Sequence, residues 1–207
     1  MPVTPLLQLR HLRFAWPGQP PLFDGFDADI GSGVTLVYGD EHRGKTTLLR
    51  LLAGELPPRE GQISWRGERV DSLGAAWQQQ VFWIDPKTEA HDQVSATDWL
   101  AGLPPRYPRW SADALDHLIG GFELSPHLAK PMYMLSTGSK RKVWLSAAFA
   151  AGASLTLIDQ PFAALDGPAI RFLREWLEDA AEVTDRSWVI ADFEAPAGVP
   201  LSGTLSL

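Results

Sequence analysis

Short apolar segments separated by glycine- and proline-containing breaks run along the whole chain. The segment Leu6 to Phe14 alternates apolar and polar residues, which is typical of a strand with one buried face. The run Val34 to Tyr38 is mostly apolar, as in a strand that is covered on both faces. Lys45 to Leu56 repeats leucine at the spacing of a helix that packs on a sheet. Residues 34 to 56 therefore predict a strand, a glycine-bounded loop and a helix.

The rest of the chain alternates predicted strands with predicted helices. Ser136 is expected to cap a helix that continues through Ala151, and another helix follows Asp166 with Pro168 in its first turn. This alternation predicts an α/β fold with a mostly parallel central sheet and flanking helices, preceded by a small N-terminal antiparallel β subdomain. The remaining predicted strands are 26–30, 63–66, 81–84, 155–158, 188–191 and, at a sheet edge, 201–207.

The middle of the chain differs from both ends. Residues 95 to 121 mix short helical patches with the breaker-rich sequence GLPPRYPRW. This mixture predicts a helical subdomain inserted into the α/β fold, covering approximately residues 87–150. A chain of 207 residues has the length of one compact domain, so we expect a single domain over residues 1–207.

Composition narrows the choice of partners and location. The formal net charge of −7 argues against a nucleic-acid partner, because proteins bind the phosphate backbone through clustered lysine and arginine. The chain has no cysteine, which excludes disulfides and thiolate metal sites and suits a reducing cytoplasm. No apolar run approaches about 20 residues, and the N-terminal segment lacks the pattern of a signal peptide. We expect a chain that neither crosses a membrane nor is secreted by the usual route.

Ligands of parallel α/β sheets bind beyond the carboxyl ends of the strands, which places the expected chemistry after Tyr38, Ile158 and Ala191. Directly after Tyr38, the sequence GDEHRGKTT matches the phosphate-loop pattern G-x-x-x-x-G-K-[ST], with a strand before it and a helix after it. Backbone N–H groups of such a loop, together with the helix N-terminus, cradle nucleotide phosphates. The expected nucleotide-binding residues are Gly39, Asp40, Glu41, His42, Arg43, Gly44, Lys45, Thr46 and Thr47.

Three of the predicted site residues have specific chemistry. Lys45 is expected to reach the β- and γ-phosphates and to act in catalysis, while the Thr46 hydroxyl ligates Mg²⁺. Asp159 ends the apolar strand in LTLIDQP, where a carboxylate holds Mg²⁺ through water. The sequence therefore predicts a P-loop NTPase fold that binds ATP and Mg²⁺.

Three further segments resemble the ATP-binding cassettes of ABC transporters. LSTGSKRK, with Ser136 and Gly138, is similar to the family's signature sequence, and FAALD, ending at Asp166, is similar to the loop after its Mg²⁺ aspartate. Trp16 stands where the family has an aromatic residue that stacks on adenine. The resemblance implies a head-to-tail dimer in which Ser136 and Gly138 of one cassette close over the γ-phosphate held by the other. It also implies a separate membrane permease and a peripheral position on the cytoplasmic face of the inner (plasma) membrane.

Two residues differ from those that the family uses to hydrolyse ATP. Gln160 replaces the glutamate that activates the attacking water, and an amide cannot accept that proton. Phe193 stands at the place of the switch histidine, and a phenyl ring cannot donate a hydrogen bond to the γ-phosphate. Slow or impaired hydrolysis is therefore expected. Asp192 and Glu194 are alternative bases, although solvated loop carboxylates are commoner at such positions.

Other unusual residues leave alternatives open. Asp85 precedes a proline where the family has a glutamine, so it is either a Mg²⁺ ligand or the start of an Asp-Pro turn. Asp40 and Glu41 put two carboxylates into a loop that usually carries small residues. Two carboxylates near phosphates are costly unless they point outward or Arg43 offsets them.

Two functions are compatible with these residues. The first is the ATP-binding subunit of an ABC transporter, and the alternative is a catalytically degenerate regulatory ATP-binding module outside transport. The small size and the sequence GQISWRG, residues 61–67, are also similar to the compact haem-exporter cassettes of cytochrome c maturation. That likeness does not extend to the cargo, because substrate choice in this family normally lies in the permease.

Overall fold

The strands of the molecule form two sheets flanked by helices. A computed structural model describes residues 5–207. The strands are β1 Leu7–Phe14, β2 Phe23–Ile30, β3 Gly33–Tyr38, β4 Glu60–Trp65, β5 Glu68–Arg69, β6 Val81–Phe82, β7 Leu155–Asp159, β8 Ser187–Asp192 and β9 Gly203–Ser206. The helices are α1 Lys45–Ala53, α2 Val70–Leu73, α3 Ala75–Gln80, α4 Ala96–Ala101, α5 Ala112–Gly121, α6 Thr137–Ala150 and α7 Gly167–Ala181, with 3₁₀ turns at Ser125–His127 and Met132–Met134.

The smaller sheet is antiparallel and has the order β2-β1-β4-β5. In its centre, Leu9 of β1 lies opposite Ala28 of β2 and Ile63 of β4. Leu7, Leu9 and Leu12 are fully buried in one core. Leu7 and Leu9 form the inward face that the alternating pattern predicts, and a register shift between Leu9 and Leu12 brings Leu12 to the same core. The predicted antiparallel subdomain is confirmed.

The larger sheet is parallel and has the order β6-β7-β8-β3-β9. Its two faces belong to two different cores. Val37 and Val189 face the core that α1 and the antiparallel sheet complete, whereas Leu36, Ile158 and Ile190 face the core with α6 and α7. Burial on both faces explains why these strands are continuous apolar runs, and the predicted α/β P-loop fold is confirmed.

Several element boundaries differ from those expected from the sequence. Helix α1 ends at Ala53 rather than Leu56, because Gly54 takes the left-handed conformation with φ 77° and its N–H donates to the carbonyls of Arg50 and Leu51. Such a glycine ends a helix without the steric cost that a side chain would bring. Strand β6 stops at Phe82, two residues earlier than predicted.

The helices that frame the site begin as their sequences predict. The Ser136 hydroxyl accepts from the Ser139 N–H at the start of α6, and Asp166 accepts from the Ala169 N–H at the start of α7. Helices α4 and α5 precede α6 in the chain, and α5 packs against α6. Within residues 5–207, no helix combines the length and the apolar composition that a membrane crossing requires.

Candidate nucleotide-binding site

The loop from Gly39 to Gly44 connects the carboxyl end of β3 to the N-terminus of α1. Gly44 has φ 97°, and a Cβ there would lie 2.9 Å from the Leu22 side chain, so this position favours glycine. Gly44 is also the N-cap of α1 and has no side chain to occupy the free N–H groups of the first turn. These N–H groups and the helix dipole form a site suited to a phosphate anion.

Lys45 is buried under this loop, with 6% of its surface exposed. Its Nζ donates to the Gly39 carbonyl and, over 2.8 Å, to the Asp40 carbonyl. The same Nζ lies 4.1 Å from the centre of the Phe193 ring, which is a cation–π contact. The structure thus brings two predicted catalytic positions, Lys45 and Phe193, into direct contact.

Thr46 and Asp159 meet at the same edge of the sheet. The Thr46 Oγ1 donates to Asp159 Oδ2 over 2.6 Å. Burial raises the pKa of the Asp159 carboxyl, and the Thr46 hydrogen bond and the charge of Arg141 oppose this rise in part. A hydroxyl beside a carboxylate is a set of hard oxygen donors, which fits Mg²⁺.

Gln160 lines the pocket because its backbone is held from two sides. Its φ is 48°, its N–H donates to the Ala191 carbonyl over 2.8 Å, and its own carbonyl accepts from the Arg141 guanidinium over 2.8 Å. The same guanidinium donates to the Asp159 carbonyl over 2.6 Å. Arg141 is therefore the residue that fixes the end of β7 beneath the pocket.

The role of Arg141 was not predicted from the sequence. Only 9% of its surface is exposed, and desolvation lowers the pKa of its guanidinium although the charges of Asp159 and Asp192 oppose this. The available signal was a pair of cations, Arg141 and Lys142, just before the apolar stretch VWLSAAFA within one helix. A charge at the head of such a buried helix needs polar partners, and here they are the two carbonyls after β7.

These residues surround an open pocket of about 560 Å³. Trp16 lies on one side of it, with the Phe14 ring 5.2 Å away edge to face. Asp40 and Glu41 are both exposed, and Glu41 lies at the edge of the pocket. The lining residues are Trp16, Gln19, Leu22, Glu41, His42, Arg43, Gly44, Lys45, Thr46, Thr47, Lys87, Asp159, Gln160 and Phe193.

Ser136 and Gly138 of the signature lie outside this pocket, at the N-terminus of α6, and Asp166 of the FAALD loop lies at the N-terminus of α7. A Cβ on Gly138 would lie 2.4 Å from the Ala164 carbonyl oxygen, so the signature packs tightly against the FAALD loop. Lys142 Nζ pairs with Asp166 Oδ2 at 2.8 Å, and this hydrogen bond is the main reason why the pKa of the Asp166 carboxyl is lowered. Ser136, Gly138 and Asp166 do not line the pocket that contains Lys45.

Three carboxylates are candidates for an additional Mg²⁺ ligand (Asp85) or for a substitute base (Asp192 and Glu194). The first two accept hydrogen bonds from the backbone. Asp85 Oδ1 accepts from the Lys87 N–H over 2.9 Å, which is the geometry of the Asp-Pro turn, and the nearby Asp85 charge contributes to the raised pKa of Asp159. Asp192 Oδ1 accepts from the Phe193 N–H over 2.8 Å, and burial raises the pKa of the Asp192 carboxyl. Glu194 is exposed.

A glycine-bounded loop, a buried lysine and a threonine–aspartate pair at the carboxyl edge of a parallel sheet define a P-loop nucleotide-binding protein. The family model of ABC transporters matches residues 26–163, which include the phosphate loop, the signature and Gln160. The chain therefore belongs to the ABC transporter family, among its ATP-binding proteins.

Individual relatives agree with this assignment. The chain is 33% identical over 168 residues to the cytochrome c biogenesis ATP-binding export protein CcmA of Nitrosospira multiformis, covering 78% of this chain and 79% of that protein. It is 32% identical to the protein of the same name from Pseudomonas syringae pv. syringae, covering 88% and 86%. A solved ABC transporter ATP-binding protein from Pyrococcus furiosus has the same fold, with a TM-score of 0.78 at 22% identity and coverage of 97% and 96%. The likeness to cytochrome c maturation cassettes expected from residues 61–67 is therefore supported.

Proposed function

We propose that this chain is the ATP-binding subunit of a membrane transporter and forms a single cassette whose helical subdomain covers about residues 87–150. It binds Mg-ATP, pairs head-to-tail with a second cassette, and drives a separate permease from the cytoplasmic face of the inner membrane. Its own hydrolysis is slow. Relatives that are named export proteins of cytochrome c biogenesis support export as the direction of transport.

The observation that carries this proposal is the arrangement of Lys45, Thr46 and Asp159 at the head of α1. The loop N–H groups and the N-terminus of α1 bind the β-phosphate. The Lys45 ammonium group neutralises phosphate oxygens, which take the place of its contacts with the Gly39 and Asp40 carbonyls. The Thr46 hydroxyl and the Asp159 carboxylate are the residues that would hold Mg²⁺. Mg²⁺ supplies positive charge that offsets the charge developing on the phosphates. Trp16 stacks on the adenine.

Slow hydrolysis follows from the groups beside the phosphates. The Gln160 amide can hold a water molecule by hydrogen bonding, but it cannot take the proton that the attacking water loses. Phe193 offers no donor to the terminal phosphate. Loss of a positioned base alone costs roughly 10²- to 10⁴-fold in rate. Asp192 is a candidate substitute base, although its carboxylate already accepts the Phe193 N–H.

The position of the signature supports a second cassette. Ser136 is exposed, and both it and Gly138 lie at the N-terminus of the 14-residue helix α6, away from the pocket of their own chain. A serine hydroxyl and a helix N-terminus suit a phosphate anion. In a head-to-tail dimer they would meet the γ-phosphate bound at Lys45 of the other cassette, which completes the site.

An exposed apolar patch on the helical segment supports a permease partner. Val94, Tyr133 and Met134 are 38%, 58% and 57% exposed, which is unusual for large apolar side chains. Their backbones are adjacent, because the Met132 N–H donates to the Val94 carbonyl over 3.0 Å and the Tyr133 N–H donates to the Asp92 carbonyl over 3.0 Å. Contact with a membrane subunit would cover this patch.

A charge at the signature tests the dimer. Sedimentation with and without saturating Mg-ATP should show an ATP-dependent dimer for the wild type. Ser136→Asp keeps a capping oxygen but places a negative charge against the γ-phosphate, so it should abolish the dimer. Ser136→Asn keeps the cap without the charge and should dimerise. A wild type that binds ATP yet stays monomeric would contradict the dimer.

The apolar patch distinguishes transport from the regulatory alternative. In membrane fractions of cells that produce the chain, the wild type should sediment with the membrane, and the Tyr133→Ser/Met134→Ser variant should not. Both should bind ATP equally, which controls for folding. A wild type that binds ATP but stays entirely in the supernatant would favour a regulatory module outside transport.

A further inference from the structure

The Lys45 ammonium group has three contacts within the chain. Its Nζ donates to the Gly39 and Asp40 carbonyls and lies 4.1 Å from the centre of the Phe193 ring. Phe193 is 38% exposed and lines the same pocket as Lys45. A phosphate oxygen that binds Lys45 therefore competes with two carbonyls and the ring for the ammonium group.

The Phe193 backbone is fixed beside the phosphate loop by the sheet. Strands β3 and β8 are parallel neighbours, and Tyr38 at the end of β3 lies opposite Asp192 at the end of β8. Phe193 follows directly, with its N–H bound to the Asp192 carboxylate over 2.8 Å. The ring is therefore built into the side of the pocket that faces the end of the lysine.

A phenyl ring affects cations and anions in opposite ways. Its face carries negative charge from the ring quadrupole, which attracts the ammonium group but repels an anionic phosphate oxygen. The ring also has no hydrogen-bond donor for that oxygen. The β-phosphate is less affected, because the loop N–H groups and the N-terminus of α1 bind it without help from residue 193.

We propose that Phe193 is a positioning residue that covers Lys45 and specifically weakens binding of the terminal phosphate of a nucleoside triphosphate. The site then binds diphosphate and triphosphate with similar affinity. This inference rests on the proposed nucleotide-binding function and assigns the phosphate-chain selectivity of that site to one ring.

Titration calorimetry with Mg-ATP and Mg-ADP tests the inference on the intact chain. For the wild type we expect the two affinities to agree within about 3-fold. Phe193→Leu keeps an apolar side chain without the ring and should raise the ratio of ATP to ADP affinity about 3-fold, the size of an exposed cation–π contact. Phe193→His adds a donor and should raise the ratio about 10-fold, as a hydrogen bond to a charged group does. Trp110→Leu, which removes a partly buried ring that does not line this pocket, should leave the ratio unchanged.

A second measurement examines the contact without nucleotide. The Phe193 ring should shift the NMR resonances of the Lys45 ε-methylene upfield, and Phe193→Leu but not Trp110→Leu should abolish this shift. Tight nucleotide binding with an affinity ratio that neither Phe193 variant changes would overturn the inference and leave the proposed function intact. Absence of the ring-current shift would also overturn it. Failure of both nucleotides to bind in every variant would overturn the proposed function, and the inference with it.

Discussion

The nucleotide site consists of two regions, and only one of them keeps the functional groups that the family resemblance implies. The phosphate-binding region, residues 39–47, has its lysine, its hydroxyl and the free N-terminus of α1 in place. The water-facing region, at the ends of β7 and β8, has Gln160 and Phe193 where the family resemblance implies a base and a hydrogen-bond donor. Both regions rest on neighbouring strands of one sheet. We therefore expect this chain to bind a nucleotide and to hydrolyse it slowly.

The difference has a physical origin. Phosphate binding in such loops depends mainly on backbone N–H groups, so we expect the exposed side chains of Asp40 and Glu41 to change it little. Hydrolysis, in the proposed function, depends on one side-chain carboxylate at one position. The backbone scaffold of the water-facing region is intact, because Arg141 and the Ala191 carbonyl still hold Gln160 against the pocket. We therefore expect this one side chain to remove the chemistry while the site keeps its shape.

Removal of the lysine should break the phosphate-binding region with the largest effect. We expect Lys45→Ala to lower the affinity for Mg-ATP roughly 100-fold, because charge-assisted hydrogen bonds to two phosphates are lost. Calorimetry measures this change, and Lys130→Ala, an exposed lysine on another surface, serves as the control. An unchanged affinity in Lys45→Ala would show that the nucleotide binds elsewhere.

Removal of the Trp16 ring should have an intermediate effect on nucleotide affinity, and only for ligands that carry adenine. Trp16→Ala should lower ATP affinity roughly 10-fold, since stacking of a base on an aromatic ring contributes about 1–3 kcal/mol. Binding of inorganic tripolyphosphate should not change, and Trp16→Phe should retain most of the ATP affinity. Equal losses for ATP and tripolyphosphate would show that Trp16 supports the loop rather than the adenine.

Neutralisation of the aspartate between the two regions should have the smallest effect. Burial raises the pKa of Asp159 above its unfolded value, so the group favours the native state at low pH, and this contribution is lost as pH rises through the native pKa. At pH 7 without metal, Asp159→Asn should therefore melt at the same temperature as the wild type or a few degrees higher. The difference in melting temperature between Asp159→Asn and the wild type should narrow as the pH is lowered.

Metal addition supplies the control for this prediction. Mg²⁺ with ATP should raise the melting temperature of the wild type more than that of Asp159→Asn, because only the carboxylate holds the cation strongly. A variant that melts far below the wild type at pH 7 without metal would show that the charged carboxylate stabilises the fold, in conflict with the direction of its pKa shift.

Much of the phosphate-binding region was predictable because its pattern is local. A strand, a loop bounded by Gly39 and Gly44, and a helix are consecutive in the chain, so spacing alone identifies them. Capping by Ser136 and Asp166 was predictable for the same reason. The end of α1 was misplaced because apolar residues continue to Leu56, whereas the left-handed Gly54 decides where the helix stops.

The contacts that cross the fold were not predictable from spacing. Arg141 and the Asp159 carbonyl are 18 residues apart, and Lys45 and Phe193 are 148 residues apart. Only the order of strands in the sheet brings these pairs together, and a single sequence does not fix that order. The sequence identified the substitution at residue 193, but the contact with Lys45 required the positions of β3 and β8.

Phosphate release at saturating Mg-ATP by the wild type and by Gln160→Glu, with Gln160→Ala as the matched control, tests most directly whether the catalytic base is missing. We predict feeble turnover by the wild type and at least about a 10-fold increase in Gln160→Glu, which restores a proton acceptor at a position whose backbone is already held in place. Gln160→Ala should give no increase. A wild type that already hydrolyses ATP as fast as Gln160→Glu would contradict the claim that this cassette retains binding and lacks its catalytic base.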